Sequence, residues 1–376
     1  MSKEIQSVTI TYHRSYNYGA SLQAYALQNT LLSLGFKNSI LDFYRDPYAA
    51  LPLISGNLKR DLARLLLRFF EYKNKHEKEI LIKAFDAFTE NKLNLTQQYR
   101  TLKELKDNPP EADCFFSGSD QVFTLREPEF VVSRNLLTFI GGNCRKYSYA
   151  ASLAHYDLTE NEKNQLKVAL SGFSTVSVRE NRAAEFLKTF CECNFRVDVD
   201  PVFLLSKLEW ENLMKRPKYG QKYILYFQVN ANPIANRVLK LLKRQYNLPV
   251  VCIQTNPMVR VKADTIVLTA SPEEFLGWIH NAEYVVTTSF HGTAFSILFN
   301  KEFITLTKAS SNPIRIVNLL EVLGMSKRVI SDEKEIYKQE PINWNEVSNK
   351  LNTLRSNSVN YLQNIYLELE KQTISH

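Results

Sequence analysis

The sequence predicts an α/β protein of two doubly wound, Rossmann-like domains facing a cleft, on two observations. Short apolar runs alternate with helical patterns along nearly the whole chain, which is the wiring of parallel strands joined by crossover helices. The alternation stops at Asp200-Pro201 and restarts at Tyr223, so the 376 residues divide into two arrays, as a chain long for one core should. In such sheets the loops at the carboxyl ends of the strands form the ligand crevice. Candidate functional residues are sought there.

The first array opens with a strand over 7–12, a polar loop over 13–18 and a helix from Gly19. Leu22, Tyr25, Ala26, Asn29 and Leu32 keep helical spacing, and Gly35 is the C-cap. Strands follow over 40–43 and 112–116, and the polar residues 94–110 between them read as a connection ending in Asn108-Pro109-Pro110. Residues 58–82 form a basic amphipathic stretch in which Lys59, Arg60, Arg64 and Arg68 interleave with Leu62, Leu65, Leu66, Leu67, Phe69 and Phe70. It suits a surface helix with one face on the core, or a face for a membrane or partner. The loop Ser117-Gly118-Ser119-Asp120-Gln121 is rich in donors and acceptors. Strands over 147–152 and 175–178 follow, and the latter delivers Arg179 at its carboxyl end. An arginine there either pairs with Glu180 or a neighbour, or grips a ligand carboxylate or phosphate.

The second array gives a strand over 223–229, a helix over 233–245, strands over 249–254 and 265–268, and a helix over 272–281. The stretch that organises the chain comes next: strand 284–287, polar turn 288–292, helix 293–299, strand 303–306. Ser289 suits a helix N-cap, Gly292 lets the backbone approach a ligand, and His291 sits beside a helix N-terminus that attracts anions. A helix over 312–323 follows. The tail from Trp344 is helical, with Leu351, Leu354, Leu362, Ile365 and Leu369 at three-or-four spacing, and is expected to cross back and brace the N-terminal domain. The expected division is 1–200, 201–340 and a bracing helix over 341–376.

Composition bounds the partners. With 44% hydrophobic and 23% charged residues the chain is an ordinary globular protein, and a formal net charge of +8 suits an anionic substrate, an acidic membrane surface or nucleic acid without selecting among them. Met1-Ser2-Lys3-Glu4 leads into a strand without a signal-peptide pattern, and no apolar run is long enough to span a bilayer, so a cytoplasmic location is expected. Five scattered cysteines do not form a disulfide framework; Cys114 and Cys252 read as buried thiols, and Cys191 and Cys193 lack a second ligand pair. No metal is expected.

The motifs Asn17-Tyr18-Gly19-Ala20-Ser21-Leu22-Gln23, Ser117-Gly118-Ser119-Asp120-Gln121-Val122-Phe123, Ser148-Tyr149-Ala150-Ala151-Ser152, Ser177-Val178-Arg179-Glu180, Asp200-Pro201 and Ser289-Phe290-His291-Gly292-Thr293 stand in this order. Together they resemble the polysaccharide pyruvyl transferase family. The resemblance implies a GT-B-like pair of domains, phosphoenolpyruvate as donor and co-substrate with no cofactor, and a sugar acceptor, free or polyprenyl-linked, that receives a pyruvate ketal. It implies no nucleic-acid partner and leaves open a peripheral contact with the inner membrane surface. Within it, His291 is the candidate acid or base and Arg179 a catalytic and donor-binding residue, since guanidinium does not serve as a base. Ser289, Gly292, Arg315 and Lys308 join the donor side. Asn17, Gly19, Gln23, Ser119, Asp120 and Gln121 form the acceptor side, with Asp120 a second candidate base. A nucleotide-sugar glycosyltransferase on the same architecture is the alternative. Some members carry an arginine just before the residue pair that here is Phe290-His291, so the second cation on the donor is sought at Arg315 or Lys308.

Overall fold

The computed structural model describes residues 4–44, 74–141, 144–229, 231–254, 261–307 and 313–374. Lys308 and the basic residues Lys59, Arg60, Arg64 and Arg68 lie outside them. The described residues up to Tyr44, Thr89–Leu205 and those from Asn345 onward form one compact unit, and 74–88 with Ser206–Trp344 form the other.

The first unit contains β1 (Gln6–Ile10), α1 (Tyr18–Ser33), β2 (Lys37–Phe43), β3 (Leu95–Tyr99), α2 (Leu102–Asp107), β4 (Cys114–Ser117), α3 (Glu129–Asn135), β5 (Arg145–Ser148), α4 (Glu160–Leu170), β6 (Val176–Val178), α5 (Asn181–Lys188) and β7 (Phe195–Val197). Its five-stranded sheet is parallel throughout, in the order β3-β2-β1-β4-β5. Single parallel bridges, Tyr147–Thr175 and Ala151–Val178, carry the order on to the β6–β7 pair. Chain direction across the sheet therefore reverses between β1 and β4, the point where doubly wound sheets open a crevice. Cys114-Phe115-Phe116-Ser117 is buried at every position, which is why β4 reads as a continuous apolar run rather than an alternation.

The second unit contains α6 (Lys207–Leu213), β8 (Ile224–Gln228), α7 (Ala235–Tyr246), β9 (Val250–Gln254), β10 (Thr265–Val267), α8 (Pro272–Asn281), β11 (Tyr284–Thr287), α9 (Phe290–Leu298), β12 (Glu302–Leu306), α10 (Ile314–Val322) and β13 (Val329–Ile330). Its six-stranded parallel sheet runs β10-β9-β8-β11-β12-β13, which numbered within the unit is the Rossmann order 3-2-1-4-5-6. The reversal lies between β8 and β11. Both arrays are thus Rossmann-like, as the alternation of patterns predicts.

The long helix α11 (Trp344–Ile374) belongs to the first unit from Asn345 onward. Tyr361, Leu362, Ile365 and Leu369 pack with Ile5, Leu27, Leu31, Phe36, Phe116 and Tyr147, and the Tyr361 hydroxyl donates to the Ser148 carbonyl at 3.1 Å. Arg196 lies over the Tyr361 ring at 4.0 Å. The apolar stripe of the tail is thus core packing.

Three local expectations are corrected. Residues 94–110 are not a plain connection: they hold β3 and α2. Leu95-Thr96-Gln97-Gln98-Tyr99 is an edge strand, half exposed and polar, so it lacks the apolar run that marks an interior strand. The break between units falls at Leu205/Ser206 rather than residue 200, because Leu204 enters the first unit's core and Arg355 of α11 donates to the Phe203 and Leu205 carbonyls. Helix α9 starts at Phe290, so His291 stands in the first helical turn instead of a preceding loop.

Candidate active-site residues

In the second unit, the site grows from the end of β11. The Thr287 hydroxyl donates to the Phe227 carbonyl at 3.0 Å and accepts from the Ser289 N–H at 3.0 Å, while the Thr288 hydroxyl accepts from the Val229 N–H at 3.1 Å. These bonds tie the loops after β8 and β11 together at the reversal point. Ser289 is the N-cap of α9, in extended backbone, with Oγ accepting from the Gly292 N–H at 3.4 Å. The helix then enters a wholly buried environment, with no acidic residue in its first turn. His291 is buried there, 7% exposed, with its ring edge-on to Phe290 at 5.1 Å.

Gly292 has a different cause from the expected one. A Cβ on it would stand 2.3 Å from Thr287 Oγ1 and 2.9 Å from the Phe227 ring. The glycine is required for α9 to pack against the strand ends. Arg315 is half-buried in the first turn of α10, which has no side-chain cap and no acidic residue in that turn. Arg328 is buried and donates to Glu302 at 2.8 Å, to the Phe303 carbonyl at 3.2 Å and to the Glu340 carbonyl. It clamps β12 to the segment before α11.

In the first unit, the loop after β4 is fixed almost atom by atom. The Gly118 N–H donates to the Ile10 carbonyl, the Thr11 hydroxyl to the Ser119 carbonyl, and the Ser119 hydroxyl to the Ala150 carbonyl at 2.6 Å. Gly118 has φ +133°, and a Cβ there would stand 2.1 Å from the Tyr149 carbonyl oxygen. Asp120 follows with φ +67°, a left-handed conformation that aspartate tolerates better than most residues, and its carbonyl accepts from Val122 and Ser152.

The acceptor-side candidates separate on this geometry. Asn17 is exposed but caps α1, accepting from the Ala20 N–H at 3.2 Å. Gly19 is buried inside α1. Gln23 is wholly buried: its Nε2 donates to Thr11 Oγ1 at 2.8 Å and its Oε1 accepts from the Ser119 N–H at 3.3 Å. Gly19, Gln23 and Ser119 are thus buried, and the polar groups of Gln23 and Ser119 meet partners within the protein. Asp120 and Gln121 are half-exposed.

Arg179 stands at the end of β6, but its expected role as a donor ligand meets three carboxylates. It contacts Asp200 at 2.5 Å, Glu180 at 3.0 Å and Asp120 at 3.6 Å. Burial opposes its charge, yet Glu180, Asp200 and Asp120 hold the guanidinium more firmly protonated than usual. Of the two readings open at the sequence level, the ion pair with Glu180 is present. The guanidinium ties Asp120, the accessible carboxylate of the three, to two buried ones.

Sequence reasoning gave no role to two neighbouring clusters. Asp42, near the end of β2, accepts from Arg14 at 2.7 and 3.0 Å and lies 3.1 Å from His13 Nε2. Burial would raise its carboxyl, but His13 and Arg14 pull it well below the usual range. Arg134 on α3 lies over the Phe43 ring at 5.2 Å and the Tyr12 ring at 6.0 Å, and Asn135 donates to the Tyr12 hydroxyl at 3.1 Å. The available signal was a polar residue ending an apolar strand, as Asp42 does. Among the described residues no group of three or more His, Cys, Asp or Glu could hold a metal ion, and no helix is long and apolar enough to cross a membrane.

The family model for polysaccharide pyruvyl transferase matches residues 17–308. The chain belongs to the polysaccharide pyruvyl transferase family. That match takes in Asp120, Arg179 and His291, while Arg315 and α11 lie beyond it. No curated protein matches the chain. Among solved structures, a Listeria monocytogenes protein assigned to the UDP-N-acetylglucosamine 2-epimerases is 10% identical with a TM-score of 0.54, covering 94% of this chain and 91% of that one. S. aureus MnaA with UDP is 12% identical with a TM-score of 0.52, covering 89% and 86%. The UDP-GlcNAc 2-epimerase from Neisseria meningitidis, bound to UDP-GlcNAc, is 11% identical with a TM-score of 0.51, covering 98% and 100%. At these identities the likeness shows the fold alone: this polysaccharide pyruvyl transferase family member has two Rossmann-like domains, as proteins of the GT-B type do.

Proposed function

We propose that the chain transfers the enolpyruvyl group of phosphoenolpyruvate to a sugar of a surface or capsular polysaccharide, or of its lipid-linked repeat unit. The observation that carries this reading is His291, set in the first turn of α9 at the carboxyl edge of a Rossmann sheet and inside the stretch the family model matches. One acceptor hydroxyl adds to C2 of the donor, giving up its proton to a base, for which Asp120 is the candidate, while a proton goes to C3, which becomes the methyl group. A second hydroxyl of the same sugar then displaces phosphate, its proton leaving with the phosphate, and the ketal is closed. His291 is the acid that protonates C3.

Phosphoenolpyruvate carries a carboxylate and a phosphate, so its charge must be met by cations and backbone dipoles. Ser289 and the start of α9, Arg315 and Lys308 are assigned to it. Arg179 is assigned to positioning Asp120, which with Asn17 and Gln121 serves the acceptor. With a polyprenyl-linked acceptor the chain would work at the inner membrane surface, where Lys59, Arg60, Arg64 and Arg68 would each contribute about 1 kcal/mol against anionic lipid.

The test is phosphate release from phosphoenolpyruvate against lipid-linked and soluble galactose-, glucose- and mannose-type acceptors. Acceptor-dependent release supports the proposal. Turnover of UDP-sugars without any release from phosphoenolpyruvate would replace it with a nucleotide-sugar glycosyltransferase.

A further inference from the structure

Among the described residues four glutamines, Gln23, Gln28, Gln228 and Gln254, are almost completely buried, and Gln228 differs from the first two. Gln28 donates to the Asn94 carbonyl at 2.9 Å and accepts from the Asn94 N–H at 2.8 Å, and Gln23 is likewise bonded at both ends. Gln228 is 2% exposed, and its Oε1 is closed to solvent with no hydrogen-bond partner among the described residues. Buried amides are normally satisfied, so an orphaned one points to a group that arrives later.

Its place in the fold says which group. Gln228 is the last residue of β8, beside the reversal point, and pairs in register with Gln254, the last residue of β9. The next residue, Val229, is bonded to Thr288 of the loop that leads to Ser289 and His291. Strand alternation sets Gln228 on the same face as Tyr226, whose hydroxyl is also buried without a partner among the described residues. Gln228 thus presents an uncommitted polar atom at the edge where doubly wound sheets bind ligands, with Tyr226 two residues earlier in the core of that face. Rotation of an amide by 180° exchanges its oxygen and nitrogen without changing its shape, so the same position can offer an N–H to an anionic oxygen.

We infer that Gln228 is a donor-binding residue whose terminal amide hydrogen-bonds an anionic oxygen of phosphoenolpyruvate. This rests on phosphoenolpyruvate being the donor. The amide adds a directed bond without adding charge, and complements the cation assigned to Arg315.

Calorimetric titration with phosphoenolpyruvate alone, beside thermal unfolding without ligand, tests the inference on wild type, Gln228→Met and Gln228→Glu. Gln228→Met should weaken phosphoenolpyruvate binding about tenfold or more, the effect of one hydrogen bond to a charged group. The same variant should melt at a higher temperature than wild type, because the orphaned amide is gone. Gln228→Glu keeps the size but opposes an anion, and should abolish binding. If Gln228→Met fails to fold, the loss in Gln228→Glu, checked for folding by circular dichroism, carries the inference. Wild-type affinity in Gln228→Met or Gln228→Glu overturns it, and a lowered melting temperature with unchanged affinity identifies an amide held by resident water. Absence of binding by wild type removes the donor assignment and this inference together, whereas binding by wild type and variants alike removes only the inference.

Discussion

The Arg179 guanidinium reaches the Asp200 carboxylate at 2.5 Å, and Asp200 in turn accepts from the Val202 N–H at 3.1 Å to cap the turn after β7. A residue carried over from the family motif as a ligand for the donor is thereby tied into the framework of the first unit. Removing one member of a buried ionic group leaves the others uncompensated, at a cost of about 3–5 kcal/mol. Arg179→Ala should lose that much in equilibrium denaturation. Near-wild-type stability together with lost phosphoenolpyruvate binding would return Arg179 to the donor.

His291→Asn keeps the size and polarity of the side chain but cannot shuttle a proton. We expect kcat to fall about a hundredfold or more, with circular dichroism and melting close to wild type. Turnover near the wild-type rate would end its role as the acid.

Arg315→Ala should weaken phosphoenolpyruvate binding by about 2–4 kcal/mol, as truncating one member of a buried charged pair does. The control has to be chosen with care. Arg328 is unsuitable, since its bonds to Glu302 and to two carbonyls make Arg328→Ala a stability variant. Lys327, exposed and paired with Glu340 at 3.2 Å, is the better comparison and should leave affinity unchanged. Equal affinity in Arg315→Ala and Lys327→Ala would move the search to Lys308.

Gly292→Ala adds a methyl where Thr287 Oγ1 is 2.3 Å away and already engaged in two hydrogen bonds. Overpacking of this kind costs about 1–3 kcal/mol. The melting temperature should fall, and a variant as stable as wild type would show that the strand end gives way freely.

The Asp42 cluster predicts an acid limb. Its folded-state pKa lies below the unfolded value near 3.8, so its stabilisation is complete above that value and is lost as pH falls toward the folded one. Asp42→Asn should therefore reduce stability at neutral pH and remove part of the decline below about pH 4. Denaturation curves that stay parallel for the two proteins down to strong acid would contradict the linkage.

Much of the fold was readable because burial on both faces leaves continuous apolar runs, as in 284–287 and 250–254, between helices that keep their own period. β3 was not readable, since an edge strand may be polar at nearly every position, and Gln97 and Gln98 are exposed. At the site, Ser289 as N-cap followed from residue type alone. The cause of Gly292 did not, because the same residue serves a ligand and a crowded helix start equally well. The protein partners of Gln23 and Arg179 were unreadable for a related reason: a motif records that a residue type is needed, not whether its partner is a substrate or another side chain. Asp42 and Gln228 gave only the signal of a polar residue at the end of an apolar strand.

The first unit is completed by a segment that follows the second unit's sheet in sequence, with Leu362 and Ile365 of α11 sealed against Ile5 and Phe36. During synthesis the residues of β8 to β13 emerge before this helix does. The earlier of the two sheets must consequently wait with one apolar surface uncovered while the later one already has every strand of its own. In order of translation the first unit is begun first and completed last, which makes that surface the part of the nascent chain most exposed to aggregation and to chaperone capture.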